Sequence, residues 1–231
     1  MSTRSPTRLM LRDELIGFAK SKVMIVLWVV LPLIAMAGYL LLPKEITEAR
    51  GLGGLSATAF VGFLMSSVAG TVAALMVAVD LVSERNRKVY ELFVIRPMRR
   101  EVIIWSKFLA VFACVTVACL VSLGLGIAVD AFRGNAPRGD EYYDIGKSLL
   151  SLIGVVALSC SVGVVFGVMS RTILVAVILI LYVGQNLTIV PMLPVYLGWL
   201  PDHFWLVMLI TATMTGLLVL AASVMFRRAE L

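Results

Sequence analysis

Gly146-Lys147-Ser148 is the nearest approach in this chain to a site that could act on nucleotides. A phosphate-binding loop places four residues between its first glycine and the Gly-Lys-Ser/Thr end, because backbone N–H groups must wrap the phosphates between a strand and a helix. Here the upstream glycine is Gly139, six residues intervene, position 141 is glutamate, and no β-strand pattern precedes them. Nothing in the chain is therefore expected to hydrolyse ATP. His203, the single histidine, stands beside Pro201 and Asp202 with no second histidine or cysteine nearby, so it reads as an interfacial polar residue. Cys114, Cys119 and Cys160 fall inside apolar runs, without the spacing of a zinc site or a disulfide framework. Asp80 and Asp130 stand near the ends of apolar runs, where water is close. Acid–base catalysis or a proton relay would need titratable groups facing one another, and none is apparent from the sequence. The reading is of a chain with no catalytic residue, no metal and no cofactor of its own.

These sparse polar groups are set in a sequence that is 61% apolar with a mean hydropathy of +1.01, well above the roughly 45–50% apolar content of soluble domains. A membrane span needs about 20 mostly apolar residues, and the pattern predicts an all-α integral membrane protein with six transmembrane helices. They fall at about 23–42, 55–82, 103–129, 148–170, 172–190 and 204–226, within a single domain covering 1–231. No cleavable leader is expected, since Arg4, Arg8, Arg12, Asp13, Glu14 and Lys20 precede the first apolar run. The uncharged stretch 172–201 holds 30 residues, too many for one upright span and too few for two. Pro191, Pro194 and Pro201 interrupt it, so a helix is expected to about Val190, followed by a broken or re-entrant piece shielded by protein or at the interface.

Lysine and arginine collect on the cytoplasmic side of membrane proteins. With the N-terminus inside, fifteen of the twenty basic residues lie on that side and five on the other, so both termini are expected in the cytoplasm. The net charge of +6 then follows from topology, and no nucleic-acid partner is implied. The external loop from Ala131 to Lys147 is too short to fold alone. Residues 1–22 are read as a helix in the cytoplasmic interface, with Leu11, Leu15 and Phe18 on one face and Asp13 and Lys20 opposite.

Small residues recur every fourth position, as Gly62, Ser66 and Gly70 in the second span and as Ser159, Gly163 and Gly167 in the fourth. That spacing lets helix backbones approach closely, either within one subunit or between two. Gln185, Asn186 and Thr188 form a polar cluster about 20 Å into the fifth span. Such groups hydrogen-bond to neighbouring helices or line a path.

The remaining feature is a basic interruption between the second and third spans. Residues 84–107 carry seven of the twenty lysines and arginines, after a charge-free run from Gly51 to Val79. Asp80 and Glu84 share one helix face. Val89, Leu92 and Phe93 make an apolar patch rimmed by Arg85, Arg87, Lys88 and Arg96, and Pro97 ends the helix. Lys107 is expected to snorkel to the interface. Such a helix rests on anionic lipid or fits a groove on a partner.

Glu84-Arg85-Asn86-Arg87-Lys88-Val89-Tyr90-Glu91-Leu92-Phe93, then Arg96-Pro97 and Arg99-Arg100-Glu101-Val102-Ile103 to Lys107, resembles the signature of ABC-2 type transporter permeases. The layout resembles that family too, with an interfacial helix, six spans, a charged loop after the second and an irregular element before the sixth. The resemblance implies an exporter's membrane subunit, in a bacterial inner membrane, paired with a second permease copy or a paralogue. It implies that segment 84–100 holds a coupling helix seated on a separate ATPase subunit, which binds ATP and Mg. Glu84, Arg85, Tyr90, Glu91, Leu92 and Phe93 would form that contact, with Pro97 and Arg99 marking its exit. Lys88-Val89 stands where members often have Gly-Thr, and the chain has no large external domain. Gly62, Ser66, Gly70, Gln185 and Asn186 are the residues expected along a path through the membrane. The alternative is an ATPase-independent helical transporter or channel, which would call for intramembrane charges that are scarce here. The substrate is not legible.

Overall fold

In a computed structural model, residues 6–41, 57–86, 100–132, 139–189 and 204–228 are described, and among them there are helices and no strand. Helix α1 (Pro6–Ala19) meets α2 (Lys22–Leu41) at a 60° bend. The bend falls where Ser21 starts a new helix, its Oγ accepting from the Met24 N–H at 3.2 Å, the role of an N-cap side chain. Phe18 is buried and Leu15 half-buried against the core, whereas Asp13 and Lys20 are exposed. Ile16, on the polar side of this imperfect stripe, is exposed as well.

Helix α3 (Ala57–Asn86) and helix α4 (Arg100–Phe132) have 30 and 33 residues. At 1.5 Å per residue each is about 45–50 Å long, more than the ~30 Å hydrocarbon core. Both therefore project beyond the membrane, α3 with Glu84 and Arg85 in its last turn. Helix α5 (Gly139–Met169) begins nine residues before the expected fourth span, so Gly139–Lys147 is helix and not loop.

Thr172 caps α6 (Ile173–Leu179) by accepting from Val175 N–H, and a π turn (Ile180–Gly184) leads into α7 (Gln185–Ile189). The apolar helical stretch Ile173–Thr188 is shorter than a full span. The expected break at Pro191–Pro201 lies outside the described residues. Helix α8 (Phe204–Arg228) closes the bundle against α5. Among the described residues, four helices are long and apolar enough to cross a membrane, or five if the bent α1–α2 pair counts as one span.

The core is built on α3. Val61, Met65, Ala69, Ala73 and Val77 line one buried stripe toward α2 and α4. Ala74, Ala78 and Val82 line the adjoining stripe, packed with Val162 and Phe166 of α5 and with Ala176 and Ile180. The α3–α5 contact is the most extensive in the molecule. Exposed apolar side chains such as Ile25, Val29 and Leu33 on α2 and Leu209 and Leu217 on α8 face outward, as lipid-facing surfaces do.

The small-residue stripes meet within the chain. A Cβ on Gly70 would touch Ser159, one on Gly163 would touch Ala74, and one on Gly167 would touch Ala78. Each pair keeps the same offset in sequence, so α3 and α5 run parallel, as alternate spans of a serpentine chain must. The stripe on α3 continues past Gly70 to Ala74 and Ala78, two residues that sequence spacing alone does not distinguish from ordinary apolar positions.

Candidate functional site

Asp80 and Glu84 are one turn apart near the C-terminal end of α3. The side chain that meets them is Lys107, two turns into α4. Its ammonium donates to Asp80 Oδ2 and to Glu84 Oε1 at 2.7 Å, and forms an ion pair with Glu14 Oε1 of α1 at 3.2 Å. Three carboxylates thus surround one cation that has three donors. The Phe18 ring lies 5.9 Å from the same nitrogen, within the range of a cation–π contact.

Lys107 is 1% exposed, whereas the three carboxylates keep 20–32% of their side-chain surface. The expected snorkelling lysine is thus corrected. Carboxylates on two neighbouring helices offer it full hydrogen bonding, and a buried cation is tolerated only when paired in this way. The expectation of no facing titratable groups is corrected too, because four of them converge here from three helices. Burial raises the Glu14 carboxyl above its usual range, against the lowering pull of Lys107.

Next to this cluster, the Arg85 guanidinium donates to the Val168 carbonyl at 3.3 Å. It thereby occupies one of the carbonyls left over at the end of α5. The ends of α3 and α5 are tied together on the side where α1 and α4 join α3. Of the residues expected to seat a partner, Glu84 and Arg85 therefore have contacts inside the chain. Tyr90, Glu91, Leu92, Phe93, Pro97 and Arg99 lie outside the described residues.

The residues expected along a path separate into two groups. Ser66 is 2% exposed, and Gly70 packs on Ser159 in the α3–α5 contact. Gly62 lies on α3 one turn before Ser66. Gln185 and Asn186 are exposed, directly after the π turn. Gln185 Nε2 donates to Thr71 Oγ1 at 2.6 Å, Thr71 in turn donates to the Ser67 carbonyl, and Asn186 Nδ2 donates to the Tyr182 carbonyl at 2.6 Å. The pair Gln185–Thr71 places polar groups of α3 and α7 side by side on an outer face. Single π turns occur often at functional positions. Thr71 and Tyr182 belong to this group and were not singled out by spacing, since neither has a polar neighbour in sequence that marks it.

Among the described residues no group of histidine, cysteine, aspartate and glutamate is arranged to hold a metal. The charge cluster has no open ligand position either, because Lys107 fills it. What this arrangement can do is mechanical: it joins α1, α3 and α4 next to the segment that links α3 to α4.

No curated protein matches the chain. The family profile described as ABC-2 family transporter protein matches residues 47–224, more than half of the sequence, and takes in α3 to α7, most of α8 and the segment from Glu84 to Lys107. By that match this multi-pass membrane protein belongs to the ABC-2 transporter family.

Proposed function

We propose that the chain is the membrane subunit of an ATP-driven exporter, working as a pair of permease subunits with two ATPase subunits. The family match over 47–224 carries this reading. In it the chain has six spans and both termini inside a bacterial inner membrane, with ATP and Mg held by the partner. The 84–100 segment is the coupling helix and seats the ATPase. Closure of the ATPases pushes on this segment and tilts α3 and α4, opening a path at the subunit boundary. The exposed polar seam of Thr71, Gln185 and Asn186 borders that path, while Gly70 holds α3 against α5 beside it.

The test is copurification with the ATPase, using Tyr90→Ala, since Tyr90 belongs to the signature and is not one of the four charged residues that meet at Lys107. An interfacial aromatic anchor removed in this way costs on the order of 2 kcal/mol, roughly a 30-fold loss in affinity for the ATPase subunit. Unchanged affinity, measured by titrating the purified ATPase onto the permease in nanodiscs, rules out this segment as the seat. Failure of any ATP-hydrolysing protein to bind would favour the ATPase-independent reading instead.

A further inference from the structure

We propose that Lys107 is a positioning residue that joins the interfacial helix α1 to the segment between α3 and α4, so that both move as one body when nucleotide acts. This rests on the reading of that segment as the seat of an ATPase. The segment enters from Glu84 and leaves through Arg100, and Lys107 binds the entrance to the exit by donating to Asp80 and Glu84. The same nitrogen pairs with Glu14 at 3.2 Å, on a helix that precedes the matched family residues 47–224.

Helix α1 packs along α4 and touches α2 much less, beyond a 60° bend at Lys20 and Ser21. Lys107 supplies the charged contact within that packing. The other holds on α1 are weak in direction: Phe18 is buried among apolar side chains, Met10 and Leu15 pack at the edge of the core, and Cys114 Sγ reaches the Leu15 carbonyl at 4.0 Å. Apolar contact resists separation but lets surfaces slide. The Glu14 ion pair attaches α1 to a nitrogen whose position two charge-assisted hydrogen bonds, to Asp80 and Glu84, already fix. The cation–π contact from Lys107 to Phe18 adds a second hold from the same side chain to α1.

Amide hydrogen exchange of the permease–ATPase complex in nanodiscs, with ADP and with ATP plus orthovanadate, tests this. In the native complex the nucleotide state should alter exchange both in residues 84–99 and in α1. In Glu14→Gln the change in 84–99 should persist, and the change in α1 should fall by at least about fivefold, the low end of ordinary coupling between sites. Glu14→Asp keeps the charge on a shorter arm and should recover part of the α1 response. It also stands in if Glu14→Gln does not assemble, and there a reduced but measurable α1 response is expected.

A full α1 response in Glu14→Gln overturns the proposal. So does α1 exchange that rises equally in both nucleotide states with the difference between them kept, because that is what a purely stabilising ion pair would give. A native complex in which 84–99 responds and α1 does not also overturns it, while leaving the ATPase seat intact. If neither region responds to nucleotide, the ATPase-seat reading fails and the linkage falls with it.

Discussion

Lys107→Met is expected to destabilise the protein by about 3–5 kcal/mol, the range for removing one partner of a buried ionic cluster. Among the described residues the lysine has the largest fully buried side chain, and methionine matches its length without its charge. The loss is therefore electrostatic more than a matter of volume. Three carboxylates from α1 and α3 would face one another with no cation among them. By the 2–4 °C per kcal/mol usual for a chain of this size, the midpoint of thermal unfolding in detergent should fall by roughly 10 °C. Adding Glu14→Gln, Asp80→Asn and Glu84→Gln to Lys107→Met should return most of that loss, since replacing a whole buried ionic group is often neutral. An unchanged midpoint in the single variant would show that the cluster contributes no net stability.

The same variant has a defined pH dependence. Burial already raises the Glu14 carboxyl above 4.5, and the Lys107 charge opposes that rise. Without Lys107 the folded-state value climbs further. A carboxyl raised on folding favours the folded state below its unfolded value and loses that contribution as pH rises through the folded value. The deficit of Lys107→Met should thus be smallest near pH 4.5 and grow toward neutrality, read as the difference in midpoint between variant and native protein.

Gly163→Ala carries the second large effect. A Cβ there would stand 2.5 Å from the Ala74 carbonyl oxygen and 2.7 Å from its Cα. Backbone on a 30-residue helix cannot turn aside, so α3 and α5 must part along their main contact. Overpacking of this kind costs about 1–3 kcal/mol, and a backbone clash belongs at the upper end. Gly70→Ala is the control in the same seam. Its Cβ would meet Ser159 Oγ at 2.6 Å, a hydroxyl that can rotate away, so a cost under about 1 kcal/mol is expected. Equal losses of thermal stability in the two variants would mean that the seam yields as a whole. Because Gly167 abuts Ala78 and Leu81 one turn farther on, separating the helices would also shift Asp80 and Glu84 relative to Lys107.

Much of the architecture is written locally. Ser21 and Thr172 cap the helices that follow them, and long apolar runs specify spans whose backbone bonds close within each helix. The stripes at Gly70 and at Gly163 and Gly167 announce close helix contact by their period. Locally, too, Asp80 and Glu84 share a face, and the charged interruption from Glu84 to Lys107 resembles the family signature.

Other features have no local record. Nine residues of α5 continue through what reads as an external loop, because charged residues before an apolar run look the same whether coiled or helical. Of the candidates for a path by spacing, Ser66 is buried and Gly70 is taken up by packing on α5. Gln185 finds Thr71 across 114 residues of sequence.

From its sequence alone, this protein is a multi-span membrane chain with a basic segment between two long apolar runs. Hydropathy, charge and period are properties of neighbouring residues, so they need no fold to be read. Where Lys107 goes is decided only in three dimensions. Its partners stand 23 and 27 residues away on α3, and a third lies on α1, brought together because small-residue packing and the bend at Ser21 converge three helix ends. A lysine beside an apolar run has water as its default partner, and only the assembled bundle supplies three carboxylates in its place.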